Sequence, residues 1–368
     1  MARLKGIILT AFVLTAMTTA AQNMTDYHAD MQAVDEYRPA PGQFINTMPY
    51  YDEGDDGAAM VRKCTETLCP TDAADRGTVC LGGYGGYITF HFDHPIANVA
   101  GQRDFAVFGN SILSMMFPDL LGGSSEPGIV MVSQDLNGNG KPDDTWYELS
   151  GSADTDSTAN LSADMDWERR LIYGYEVTYT RGETLTAIPW TDNQGHSGTI
   201  ARMDQFHQQE YWPQWMTEPT LTFRGTRLPR NAWYINRGQY QQQWVLFFLR
   251  YGYADNRPNA DTEDCGMDIS WAVDPMTRQP VTLDHIDFVR VYTAMNQSAG
   301  NLGETSTEIR GARDLHLEAS IAAMQQGSGV TDAASIGHST PTLLYRIGPV
   351  SIVRMADGRV RKEIRDIR

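Results

Sequence analysis

The stretch Ile129-Val-Met-Val-Ser133-Gln-Asp135-Leu-Asn137-Gly-Asn139-Gly-Lys141-Pro-Asp143-Asp144-Thr-Trp-Tyr-Glu-Leu149 decides the fold class. Its two flanks are short and rich in β-branched and aromatic residues, so they read as strands. Between them, oxygen-bearing side chains recur at every second position, a glycine follows, and two carboxylates close the run. A hard cation that takes six to eight oxygens at ~2.3–2.6 Å is wrapped by a loop of this kind. The residue at position 12 of the loop is Trp146 rather than a bidentate glutamate, and the flanks are not helical, so the pattern is a β-hairpin loop and not an EF-hand. Asp135, Asn137, Asn139, the Lys141 carbonyl, Asp143 and Asp144 are the expected ligands of a structural Ca²⁺. The same residue types also build an ordinary polar hairpin turn that holds no ion.

Outward from the hairpin, the β pattern continues. Ile88, Phe90 and Phe92 alternate with Thr89, His91 and Asp93, as in a half-buried strand. Asp104–Phe108, Tyr175–Tyr179, Thr220–Phe223, Trp244–Leu249 and Asp287–Tyr292 extend the series, separated by turn residues. Gly82-Gly-Tyr-Gly-Gly86 lacks the register of a phosphate-binding loop and leads into a strand, so close backbone packing explains it better. Asp55–Leu68 reads as one short capped helix. The expected fold is mainly β, a sandwich with a few short helices. There is no internal repeat.

The chain divides by composition. Residues 1–21 combine Arg3 and Lys5, an apolar run and Thr19-Ala-Ala21, the three parts of a secretory signal peptide. The run is too short to span a membrane, and no other stretch reaches spanning length. Residues 22–45 read as an extended arm and 46–316 as the sandwich domain with long loop insertions. Residues 317–340 read as a linker with a short helix, and 341–368 as a terminal strand with a basic tail. The expected location is the cell surface, the periplasm or the medium. The net charge of −17 argues against a nucleic-acid partner. Four cysteines in an exported chain permit disulfides, and Cys64–Cys69 with Cys80–Cys265 is the expected pairing among three connectivities.

No catalytic triad or metalloprotease motif is present, and the histidines are scattered, as for packed or solvated side chains. The loops carry more aromatic rings than charge. Trp190-Thr-Asp192-Asn193, Tyr211-Trp212-Pro-Gln-Trp215 and Tyr251–Asn256 place flat faces beside Asp and Asn, a pairing suited to a sugar ring or a planar nutrient. Trp190, Asp192, Asn193, Tyr211, Trp212, Trp215, Asp255 and Asn256 are therefore the expected ligand-binding residues. The same rings also fill sandwich cores. A secreted carbohydrate hydrolase is the alternative, with its acids among Glu126, Asp192, Asp255 and Glu304.

Taken in order, Gly82–His94, Asp104–Asn110, Ser124–Ser133 with its loop, Trp190–Gly195, Gly225–Leu228, Tyr251–Asn256 and Gly303–Glu308 resemble the motifs of secreted bacterial cell-surface proteins. The likeness runs from about residue 42 to 315. It implies a galactose-binding-like jelly-roll β-sandwich, export to the surface, and a place beside outer-membrane nutrient uptake machinery, sometimes for cobamides. Many such proteins carry a lipid anchor or an adhesive repeat, and neither pattern occurs in this sequence. The terminal strand and basic tail resemble a degenerate sorting domain.

Overall fold

The computed structural model describes residues 27–155, 167–182, 187–203, 205, 207–260, 265–327, 342–347, 350–354 and 360–364. The expected signal peptide at 1–21 lies outside them. The described chain is mainly β, in several antiparallel sheets, an arrangement consistent with a sandwich. A seven-stranded sheet runs Ala33–Arg38, Tyr87–Ala97, His285–Thr293, Gly128–Ser133, Trp146–Leu149 and Ala272–Val273, and Tyr253–Ala254 joins it against Gly128–Ser133. The decisive hairpin forms as its sequence indicates, with Met131 opposite Glu148 and Ser133 opposite Trp146.

Alternation along these strands assigns each face to a core. Val130, Val132, Val289, Val291, Ile88 and Phe90 point one way, against the small sheet containing Phe105–Phe108 and the helix Gly57–Leu68. Ile129 and Tyr292 point the other way and pack with Tyr253 and Leu228. The helix begins where Asp56 Oδ1 accepts the Ala59 amide at 2.7 Å, and it buries Met60, Cys64 and Leu68 at helical spacing. A second core lies under a four-stranded sheet ordered Ser197–Ala201, Ala187–Asp192, Ile172–Thr180, Thr220–Arg227, and is built from Tyr84, Tyr175, Tyr179, Trp212 and Phe223. Among the described residues, no helix is long and apolar enough to cross a membrane.

Three expectations change. Residues 33–38, read as part of an arm, are a strand of the main sheet, with Ala33 opposite His91 and Arg38 opposite Tyr87. The cysteines are all free thiols, so neither expected disulfide exists. Cys64 points from the helix into the core, whereas Cys69 caps the helix end and packs, partly buried, at the margin of that core. The Cys80 thiol donates to Ser306 Oγ at 3.3 Å, and Cys265 is buried elsewhere. Export permits oxidation, but only proximity makes a bond.

Residues Gly327–Arg368 are a separate compact unit. It contains a three-stranded antiparallel sheet, Thr342–Ile347, Val350–Arg354 and Val360–Ile364, where the sequence suggested one strand and a tail.

Candidate functional site

Three segments far apart in sequence meet at a group of acids. Asp255 follows the strand Tyr253–Ala254 and adopts φ = 50°, a conformation uncommon for a non-glycine residue. Its carboxylate explains why that conformation holds. Oδ1 accepts the amides of Asn110 and Ser111 at 2.7 and 2.9 Å, and Oδ2 accepts the Glu308 amide at 2.9 Å. A side chain at Gly109 would place its Cβ 2.2 Å from Asp255 Oδ1, so only glycine admits the acid. Glu126 Oε1 accepts the Ser306 amide, and its own amide donates to the Asp255 carbonyl. Glu308 Oε1 accepts Ser306 Oγ at 2.8 Å.

The carboxylates of Glu126, Asp255 and Glu308 each bring an oxygen within 4.8 Å of the others. Asp255 and Glu308 are fully buried and Glu126 is half-buried. Burial first, and then the neighbouring carboxylates, push Glu126 and Asp255 well above the usual acid range. Glu308 is also raised, by burial. None of the three pairs with a lysine or arginine among the described residues.

Four residues before Glu308, on the same segment, Glu304 lines a cavity of about 290 Å³. Its walls are Tyr84 and Tyr179, the Trp190 indole, Ile200, Met203 and Met295. The polar part of the lining is Glu168, Asn296, Gln297, Ser298, Glu304 and Thr305. Gly198 sits opposite Trp190 in the adjacent strand, and a Cβ there would lie 2.4 Å from the indole, so the glycine lets the ring lie across the strand. Glu304 Oε1 accepts the Gln43 amide at 2.7 Å, while Oε2 has no donor among the described residues. Thr305 Oγ1 is likewise buried without a partner among the described residues. Burial, reinforced by the Glu308 charge, pushes the Glu304 carboxyl up to about 8, so it carries a proton at neutral pH.

Of the eight residues expected to bind ligand, the structure places Trp190 on this cavity. Tyr211 and Trp212 are completely buried in the second core, and Trp215 stacks on Tyr37 and Tyr51 at 5.8 and 6.1 Å. Those rings face protein, so the aromatic loop is packing rather than a rim. Asp192 is consumed by its own hairpin, where it accepts the amides of Gln194 and His196 and the Tyr175 hydroxyl. Asn193 braces the same turn through the Gly174 carbonyl and the Glu176 amide. Asn256 ties Ser125 to the backbone of Leu249. Of the four acids considered for hydrolysis, Glu126 and Asp255 are brought together and Glu304 lies near them. Asp192 belongs to a different turn. Glu308 and the two cavity tyrosines escaped sequence reading, although Glu308 lies in the Gly303–Glu308 motif.

In the Asp135–Asp144 loop, side-chain oxygens turn inward on the loop's own amides. Asp135 accepts from Asn139 and Gly140, Asn139 Oδ1 from Lys141, and Asp144 from Leu136 and Asn137. Asn137 and Asn139 donate side-chain amides to Asp143, which lowers the Asp143 carboxyl below its usual value. The Asp135 amide donates to Asp287 on the neighbouring strand, anchoring the loop to the sheet.

No family model matches the chain, and no curated protein matches it.

Proposed function

We propose that this is an exported, non-enzymatic binding protein. It would carry a galactose-binding-like jelly-roll sandwich and capture a glycan or small nutrient in the cavity beside Trp190, in the setting of an outer-membrane uptake system. The observation that carries this reading is that Trp190 and the buried Glu304 carboxyl, whose Oε2 has no hydrogen-bond partner among the described residues, line one cavity. A protonated carboxyl both donates and accepts, as a sugar hydroxyl does, and the indole offers an apolar face to the ring carbons. The cavity is at the small end of ligand sites, which favours one or two sugar rings over a large planar cofactor. Glycan-array screening followed by calorimetry tests it. Trp190→Ala is expected to weaken the best ligand about tenfold, or roughly 1.4 kcal/mol. Glu304→Ala, which removes both the donor and the acceptor, is expected to weaken it similarly. A ligand held equally well by both variants would refute the cavity as its site.

A hydrolase is the second reading, favoured by Glu304 alone: a carboxyl that keeps its proton at neutral pH is what a general acid requires. Release of reducing ends that vanishes in Glu304→Gln would replace binding with catalysis.

We further infer that the Asp135–Asp144 loop holds a structural Ca²⁺ through Asp135, Asn137, Asn139, the Lys141 carbonyl and Asp143 or Asp144. The ion would displace the amide contacts that the side chains now make. Stability should rise with free calcium by about 2.7 kcal/mol at a hundredfold excess over Kd, and Asp135→Ala should abolish the gain. Superimposable thermal melts with and without chelator, on metal-free protein, would make the loop an ordinary turn.

A further inference from the structure

We propose that Glu126, Asp255 and Glu308 form a second, internal site for a hard divalent cation of the calcium class, distinct from the hairpin loop. The first support is mutual distance. Two oxygens bound to one Ca²⁺ at ~2.3–2.6 Å lie at most about 5 Å apart, and these three carboxylates already meet that limit. The second is independent of the clustering. Glu308 is only 2% exposed, and among the described residues its Oε2 accepts no hydrogen bond from a backbone amide or a charged side chain. A buried carboxylate oxygen without such a donor is unfavourable unless something positive meets it.

The surroundings are arranged for an ion rather than for a salt bridge. Backbone amides of Asn110, Ser111 and Glu308 fix the Asp255 carboxylate, and the Ser306 amide fixes Glu126. Such outer contacts orient ligands without cancelling their charge. The donor set is oxygen, which selects calcium, magnesium or manganese over zinc. Cys80 does not alter this, because its thiol proton is directed at Ser306 Oγ and burial holds the thiol neutral. An ion here would pin the three segments together one step from the Glu304 cavity.

The test uses the full chain with Asp135→Ala, so that the hairpin loop contributes no binding, after unfolding and refolding in chelator. Equilibrium dialysis at pH 7.5 with Ca²⁺, and separately with Mn²⁺ and Mg²⁺, should find about one ion per chain. Adding Glu308→Gln should eliminate that ion and the accompanying rise in melting temperature. The metal-free double variant should be at least as stable as Asp135→Ala, because one buried charge is gone. Glu126→Gln provides the same comparison by an independent substitution. The proposal is overturned if Asp135→Ala binds none of the three ions, or if the amide variants bind them equally well. It is also overturned if stability in the cluster responds to pH and not to cations, since shared protons would then do the ion's work.

Discussion

Between pH 5 and pH 9 the protein should lose several kcal/mol of stability, and Glu304→Gln should recover much of the loss. Glu304 is pushed from an ordinary 4.5 up to about 8 by burial, helped by the Glu308 charge. In that window the folded chain holds a proton that the unfolded chain has released, so raising the pH favours unfolding. The stability is complete below the unfolded value and is lost as pH climbs through the folded one. Each unit of displacement corresponds to ~1.4 kcal/mol, which places the upper bound for this residue on the order of 4–5 kcal/mol. Asp104, raised to about 7 by burial, acts in the same direction. So does His94, held between Asp93 and Asp314, whose raised value supplies stability that disappears with rising pH. The difference between wild type and Glu304→Gln therefore isolates Glu304. The glutamine retains an acceptor for the Gln43 amide, so the fold is spared. Urea titrations at pH 5, 7 and 9 give the curve. Parallel profiles for the two proteins would show that Glu304 titrates normally.

Trp212→Ala should cost about 3–5 kcal/mol, the range for deleting a large buried aromatic side chain. The indole is entirely buried in the second core, and its Nε1 donates to the Met216 carbonyl at 3.3 Å. Against a total stability of about 5–15 kcal/mol, that loss brings the fold near its limit. Trp190, only partly buried at the margin of the same core, gives the contrast: Trp190→Ala should reduce ligand affinity with a smaller loss of stability than Trp212→Ala. Denaturant melts of the two variants side by side make the comparison. A loss below about 1 kcal/mol for Trp212→Ala would contradict the packing described here.

What could be read from sequence follows the range of the physics involved. The central hairpin was legible because alternation and turn chemistry are local, and both occur within residues 129–149. The helix Gly57–Leu68 was legible for the same reason, through its aspartate cap and apolar spacing. The strand Ala33–Arg38 was not, because Ala-Val-Asp-Glu-Tyr-Arg is half polar and becomes a strand only by pairing with Tyr87–Ala97. Trp212 and Trp215 read as exposed because Pro213 breaks the segment, yet a broken segment says nothing about which way its rings turn. Glu126 and Asp255 were named together as candidate acids, but Glu308 was missed for a different reason. It lies in a short strand, and only tertiary structure brings that strand to the other two acids.

The strand Ala33–Arg38 also has a protective role. It lies at one margin of the seven-stranded sheet, along the eleven-residue strand Tyr87–Ala97, while the opposite margin ends in the two-residue Ala272–Val273. A long strand left open presents a row of unsatisfied amides and carbonyls that another copy of the chain can template upon. A recombinant chain trimmed to residue 46, where composition alone would start the sandwich, would uncover that row and invite self-association. The first dozen described residues thus act as a guard against aggregation, and they need to stay with the sheet they cover.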